Sequence, residues 1–156
     1  MKPRRSNLSV PGHLQKMHVK AQDSQADVIM LDLEDSVPLE AKEAARAQVI
    51  DSLLGLDWGQ KTVTVRINAL DTPFAYRDLL EVAETAGHRI DALVLPKVNN
   101  AGDVFFADRM LNGIEMGRTE GSPAVGLEAS IETAEGLLRA ADIVQASNRV
   151  RSLVFG

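Results

Sequence analysis

Residues 27–38, Asp-Val-Ile-Met-Leu-Asp-Leu-Glu-Asp-Ser-Val-Pro, constrain the fold more than any other stretch of the chain. Val28 to Leu31 are four consecutive apolar residues. That continuous pattern belongs to a strand covered on both faces, as in a parallel sheet flanked by helices. Asp32, Glu34 and Asp35 follow at once. Strand alternation places Asp32 and Glu34 on one side, while Asp35 begins the turn. Open α/β sheets and barrels carry their chemistry at this C-terminal strand edge, so the cluster is a candidate cation or substrate site. The competing reading is a solvated loop whose acids favour the start of the next helix.

The remaining chain repeats the same alternation. Leu8 to Val10 reads as a strand broken by Pro11-Gly12, and Leu14, Met17 and Ala21 follow at helical spacing. Pro38 suits a first helical position, and Ala41, Ala45, Val49 and Leu53 recur every four residues up to a stop at Gly55. Thr62 to Asn68 alternates, with Val63, Val65 and Ile67 on one face and Thr64 and Arg66 on the other. A helix is expected over 73–85, a buried strand over 92–95, and a helix capped by Asn100 over 101–111. The glycines and proline between 112 and 123 predict a flexible loop. A strand over 124–132, a helix from Thr133 to about 146 and a strand over 151–155 complete the pattern.

Six strands separated by five helical segments imply a parallel α/β sheet with right-handed crossovers. Periodicity does not separate an open doubly wound sheet from part of a barrel. A complete (β/α)8 barrel needs about 250 residues and eight strands, so six strands would be an incomplete one. At 156 residues the chain has the length of a single domain with a sizeable core.

The net charge of −5, with no basic run or aromatic platform, argues against a nucleic-acid partner. Cysteine is absent, which excludes disulfides and thiolate metal sites and makes a cytoplasmic protein the simplest expectation. No stretch approaches the roughly 18 apolar residues of a membrane span.

Several stretches together resemble the citrate lyase beta-subunit-like (HpcH/HpaI aldolase) family of CoA-ester lyases. They are residues 26–37, Leu56-Asp57-Trp58-Gly59, Val65-Arg66-Ile67-Asn68 with the following Ala69 to Phe74, Pro96-Lys97-Val98, Ile131-Glu132-Thr133 and Phe155-Gly156. They occur in the family's order along nearly the whole chain. The Leu56 to Gly59 and Tyr76-Arg77-Asp78 neighbourhoods are most similar to the malyl-CoA/β-methylmalyl-CoA lyases. The resemblance implies a (β/α)8 TIM-barrel type, with this chain as the N-terminal part covering about six of eight strands.

The same resemblance implies the chemistry. A 3-hydroxyacyl-CoA thioester is cleaved reversibly, through a thioester enolate, into an acyl-CoA and glyoxylate. Mg2+, or Mn2+ in its place, is held by a Glu that maps onto Glu132. The family's second ligand, an Asp, is expected about three residues past Gly156. Arg66 maps onto the arginine that binds the oxo-acid carboxylate, and Glu34 and Asp35 onto acids that orient metal-bound water. The developing enolate charge needs a cation, and a guanidinium fork matches a carboxylate as an ammonium does not. Near positions 14 and 15 the family places an Arg-Pro pair by the CoA phosphates. Leu14 and Gln15 stand here instead, leaving Lys16 or Lys20 to supply charge. The family assembles as homo-trimers or hexamers.

Each residue also has a plainer reading. Arg66 could pair with a neighbouring carboxylate purely for structure, Glu132 could be a helix-start acid, and Lys97 a solvated loop lysine counted with the substrate-binding groups. Glu128 shares a face with Glu132 and is equally well a salt-bridge partner. His13, His18 and His88 lack metal-ligand spacing. Two other functions stay open: a citryl- or citramalyl-thioester lyase, and a non-catalytic thioester-binding or interaction module. Six barrel strands also leave two unpaired edges, which predicts a longer natural chain or an assembly.

Overall fold

The computed structural model describes residues 2–117 and 123–156. Six strands, β1 (Asn7–Pro11), β2 (Val28–Asp32), β3 (Thr62–Arg66), β4 (Ala92–Leu95), β5 (Gly126–Ile131) and β6 (Val150–Phe155), form one sheet. Each strand pairs in parallel with the next in sequence, in the order β1-β2-β3-β4-β5-β6. A doubly wound sheet reverses direction at a switch point, whereas a barrel adds strands monotonically. The observed order is the barrel kind.

The alternation that the sequence predicts divides the sheet into two layers. Ile29, Leu31, Val63, Val65, Leu93, Leu95, Leu127 and Ala129 are all buried and meet the helices. Their neighbours in register, Met30, Thr64, Arg66, Val94, Glu128 and Ser130, share the opposite, interior side. The interior layer therefore holds the polar groups, and the helix-facing layer holds the apolar core.

The connecting helices are α1 (Gln15–Gln22), α2 (Lys42–Gly55), α3 (Ala75–Ala86), α4 (Ala101–Met116), α5 (Ala134–Leu138) and α6 (Ala140–Gln145). Ala45, Val49 and Leu53 of α2 and Leu79, Val82, Ala83 and Ala86 of α3 are buried against the sheet. Asn100 caps α4 with a capping box: its side chain accepts from Gly102 N, and Asp103 accepts from Asn99 and Asn100 N–H. Thr133 caps α5 by accepting from Gly136 N at 3.0 Å.

Three elements differ from expectation. Pro38 lies outside the helix in extended geometry, and a 3-10 turn over Leu39–Ala41 precedes α2. The α4 helix runs to Met116, into the segment expected to be a loop, because nothing crowds Gly113 and its neighbours carry the helical pattern onward. Residues 118–122 of that expected loop lie outside the described residues. The single helix expected over 133–146 is broken at Arg139, whose φ of −106° and ψ of 13° leave the helical region.

Candidate functional site

The acidic stretch and its cationic partners meet at the C-terminal ends of β2, β3 and β4. Register places Asp32 directly beside Arg66. Arg66 Nε donates to Asp32 Oδ1 at 2.7 Å and its NH2 to Oδ2 at 2.8 Å, a bidentate pair. Asp32 is 0% exposed, and it also accepts from Glu34 N, Ser36 N and Ser36 Oγ. Burial alone would raise the Asp32 carboxyl, but these donors outweigh it and hold it below the usual carboxylate range. The same pair raises Arg66.

Glu34 is buried between two cations: Oε2 lies 3.2 Å from Arg66 NH1 and Oε1 2.7 Å from Lys97 Nζ. Neither oxygen has a well-aligned hydrogen bond, so the contacts are mainly charge attraction. Burial pushes the Glu34 carboxyl up despite both cations. Asp35 is exposed and stands 3.6 Å from each of Arg66 NH1 and Lys97 Nζ. Lys42, nearly buried, donates to the carbonyls of Leu33 and Glu34 at 2.7 and 2.5 Å and so fixes the turn after β2. Burial lowers its ammonium pKa.

Lys97 follows Pro96 with a φ of 53°, in the left-handed region, and turns its side chain back toward β2. Its backbone N–H points at Glu132 Oε1, 3.4 Å away. Arg66, Asp35, Glu128, Ser130 and Glu132 line one cavity of about 460 Å³ on the interior side of the sheet. Gly12 brings β1 against this end: its N–H donates to Asp32 O at 2.7 Å, and a Cβ there would fall 2.7 Å from that carbonyl.

Behind the site, Asp78 is fully buried and accepts from Asn68 N, Asn68 Nδ2 and Arg46 Nε. It fixes the loop that leaves β3 just after Arg66.

The candidates from sequence thus divide. Arg66, Glu34, Asp35, Lys97 and Glu132 come together. Glu128 lines the same cavity and pairs with Arg4 of the N-terminal segment. Lys16 and Lys20 are exposed on α1, with no hydrogen bond or ion pair among the described residues. His18 is buried between Ser52 Oγ and Pro11 O, a structural placement. Sequence reasoning counts Asp32 within the acidic cluster but not as the partner of Arg66, and it assigns no role to Ser36 or Lys42, although Asp32 and Arg66 each lie on the strand face that points into the cavity.

A magnesium ion takes oxygen ligands, keeps several waters and needs one or two carboxylates from the protein. Glu132 fits one such ligand, since it forms no ion pair among the described residues and faces the cavity. No group of three or more metal-binding side chains converges among the described residues. The donor set therefore suits a largely hydrated ion and makes no all-protein cage. No helix among the described residues is long and apolar enough to cross a membrane.

Residues 5–156 match the profile of the family described as HpcH/HpaI aldolase/citrate lyase. The chain is 42% identical over 155 residues to an L-malyl-CoA/beta-methylmalyl-CoA lyase of Cereibacter sphaeroides, covering 99% of this chain and 48% of that protein. It superposes on the Mycobacterium tuberculosis protein CitE, solved with magnesium, acetoacetate and coenzyme A, with a TM-score of 0.74 and 31% identity. That match covers 99% of this chain and 50% of CitE. A Haloferax volcanii malate synthase, solved as a magnesium/glyoxylate complex, shares the fold with a TM-score of 0.81 at 21% identity over 97% of this chain and 51% of its own. The chain spans about half the length of the relatives it matches. Its six parallel strands match about half the length of citrate lyase-like TIM-barrel structures.

Proposed function

This chain belongs to the HpcH/HpaI aldolase/citrate lyase family, and we propose that the protein is a carbon-carbon lyase acting on malyl-CoA or β-methylmalyl-CoA. It would release glyoxylate and an acyl-CoA, and would run the condensation in reverse. The observation that carries this reading is the convergence of Arg66 and Glu132 on one cavity at the C-terminal ends of the strands.

In this reading Arg66 binds the carboxylate of the oxo-acid. Two of its nitrogens are committed to Asp32, so the guanidinium is oriented before any ligand arrives. Glu34 and Asp35 stand behind it and, with Lys97, set the charge balance of the cavity mouth. Glu132 is one ligand of a Mg2+ ion, with a second carboxylate from outside residues 1–156. When bound, the ion supplies a Lewis acid that stabilises developing negative charge. Lys16 and Lys20 lie on the outer helix α1, where they are candidates for the CoA phosphates. Residues 1–156 form the N-terminal part of a single barrel domain, in a cytoplasmic homo-trimer or hexamer.

The test is a product analysis on the whole protein with malyl-CoA, β-methylmalyl-CoA and citramalyl-CoA. Glyoxylate release that requires Mg2+ supports the proposal. Pyruvate release from citramalyl-CoA alone would move the assignment to that neighbouring chemistry. Thioester binding without cleavage of any of the three would leave an interaction module instead.

A further inference from the structure

We infer that Asp32 is a positioning residue that selects which edge of Arg66 is offered to a carboxylate ligand. The inference rests on the proposed role of Arg66 as the carboxylate receptor.

A guanidinium has two edges able to take a carboxylate through paired N–H groups: the side edge, Nε with one terminal nitrogen, and the end edge, made of both terminal nitrogens. Asp32 occupies the side edge completely, through Nε and NH2 at 2.7 and 2.8 Å. It is itself held by three donors from Glu34 N, Ser36 N and Ser36 Oγ, so the carboxylate cannot swing to release that edge without breaking the turn. The end edge remains. Glu34 Oε2 lies 3.2 Å from NH1 without a well-aligned hydrogen bond, and Asp35 stands 3.6 Å from the same nitrogen.

Glu34 therefore acts on NH1 as a neighbouring charge and does not fill the end edge. Its other oxygen is 2.7 Å from Lys97 Nζ, so Glu34 keeps a cationic partner when a ligand takes the end edge. A small planar oxo-acid monocarboxylate suits the end edge. A ligand whose second carboxylate pointed at Glu34 would meet like charge.

The experiment uses the whole protein and measures the condensation reaction with acetyl-CoA and glyoxylate, together with direct titration of the protein with glyoxylate. D32N keeps the shape of the side chain but removes the charge that commits the side edge. The expected result is a KM for glyoxylate raised about 10- to 100-fold, with kcat and the KM for acetyl-CoA within about threefold, and a matching loss in the direct titration. S36A, which removes one of the three bonds holding Asp32 and leaves both backbone donors and the Arg66 pair, should raise the glyoxylate KM far less than D32N. In R66K, which has no edges to choose between, adding D32N should cause little further loss.

An equal rise in KM for S36A, or a D32N effect that multiplies onto R66K in full, would show that Asp32 acts only through the turn and would overturn the inference. If D32N does not fold by circular dichroism, D32E carries the same cycle with R66K, and the same two outcomes decide. Should the wild-type protein bind glyoxylate but cleave no thioester, the lyase reading fails while the D32N titration still tests Asp32. Unchanged glyoxylate binding in D32N with an active wild type sinks the Asp32 inference alone.

Discussion

The ammonium of Lys97 sits 2.7 Å from Glu34 Oε1, and Lys97 reaches it from a backbone φ of 53°. A non-glycine residue in that region costs on the order of 1 kcal/mol, so the contact is maintained against backbone strain. K97G relieves the strain and removes the cation; K97A removes the cation and keeps the strain. The glycine variant should be more stable than the alanine variant by about 1 kcal/mol in urea denaturation. Both should lose lyase activity to a similar degree, because the lost cation is common to them. Equal stability of the two variants would contradict the strain argument.

Glu132 faces the cavity, and among the described residues it has no ion pair and one hydrogen-bond donor, Lys97 N–H at 3.4 Å. E132Q keeps the volume and that contact but halves the oxygen donors and removes the charge. The Mg2+ concentration needed for half-maximal activity of the whole protein should rise by more than the roughly 10- to 100-fold typical of losing an outer-shell partner. Thermal stability without metal should change little. A Mg2+ requirement unchanged by E132Q would remove Glu132 from the metal site.

Asp78 and Arg46 form a pair whose side chains are 0% and 4% exposed. Removing one member of a buried pair leaves an uncompensated charge and costs about 3–5 kcal/mol. D78N should therefore lower stability by that order, softened by the second contact of Arg46 to Glu81. D78N also perturbs the loop after Arg66, so any folded fraction should show weakened oxo-acid binding. Equilibrium denaturation at neutral pH reads the first effect.

Arg5 clamps Asp27 through its side chain and backbone, and holds that carboxyl at about 2 against an ordinary 3.8. A depressed carboxyl contributes stability above its unfolded pKa and loses it as pH falls through the folded value. The stability difference between wild type and D27N should be constant above pH 3.8 and shrink toward zero as pH falls through about 2. Denaturation series at several acid pH values measure it, and a difference that persists below pH 2 would contradict the assignment.

Much of this architecture is legible in the sequence, for physical reasons. Buried parallel strands are short apolar runs, and Val28 to Leu31 and Ala92 to Leu95 announce themselves that way. Asn100 and Thr133 cap helices because their side chains accept locally, without help from the tertiary fold. The clustering of Arg66, Glu34 and Glu132 is legible from their positions at strand ends. The bidentate partner of Arg66 is not, because it depends on the register that sets Asp32 beside it. Nothing in the local sequence marks Lys42, and only the turn after β2 shows that its ammonium serves two carbonyls. Gly113 and Gly117 read as loop signals, yet Gly113 lies within α4 and Gly117 is its C-cap, since turns announced by glycine yield to a continuing helical face.

The sequential strand order also fixes a timetable for synthesis. A ribosome delivers β2 with Asp32, Glu34 and Asp35 long before it delivers their cations. At about 5–20 residues per second, Arg66 follows Asp35 by roughly 2–6 seconds, and Lys97 comes later still. During that interval the nascent chain carries three neighbouring negative charges with no basic partner from β3 or β4. Docking of the third and then the fourth βα unit quenches them one after another, so completion of this acidic end of the sheet is itself a reward for adding strands in order.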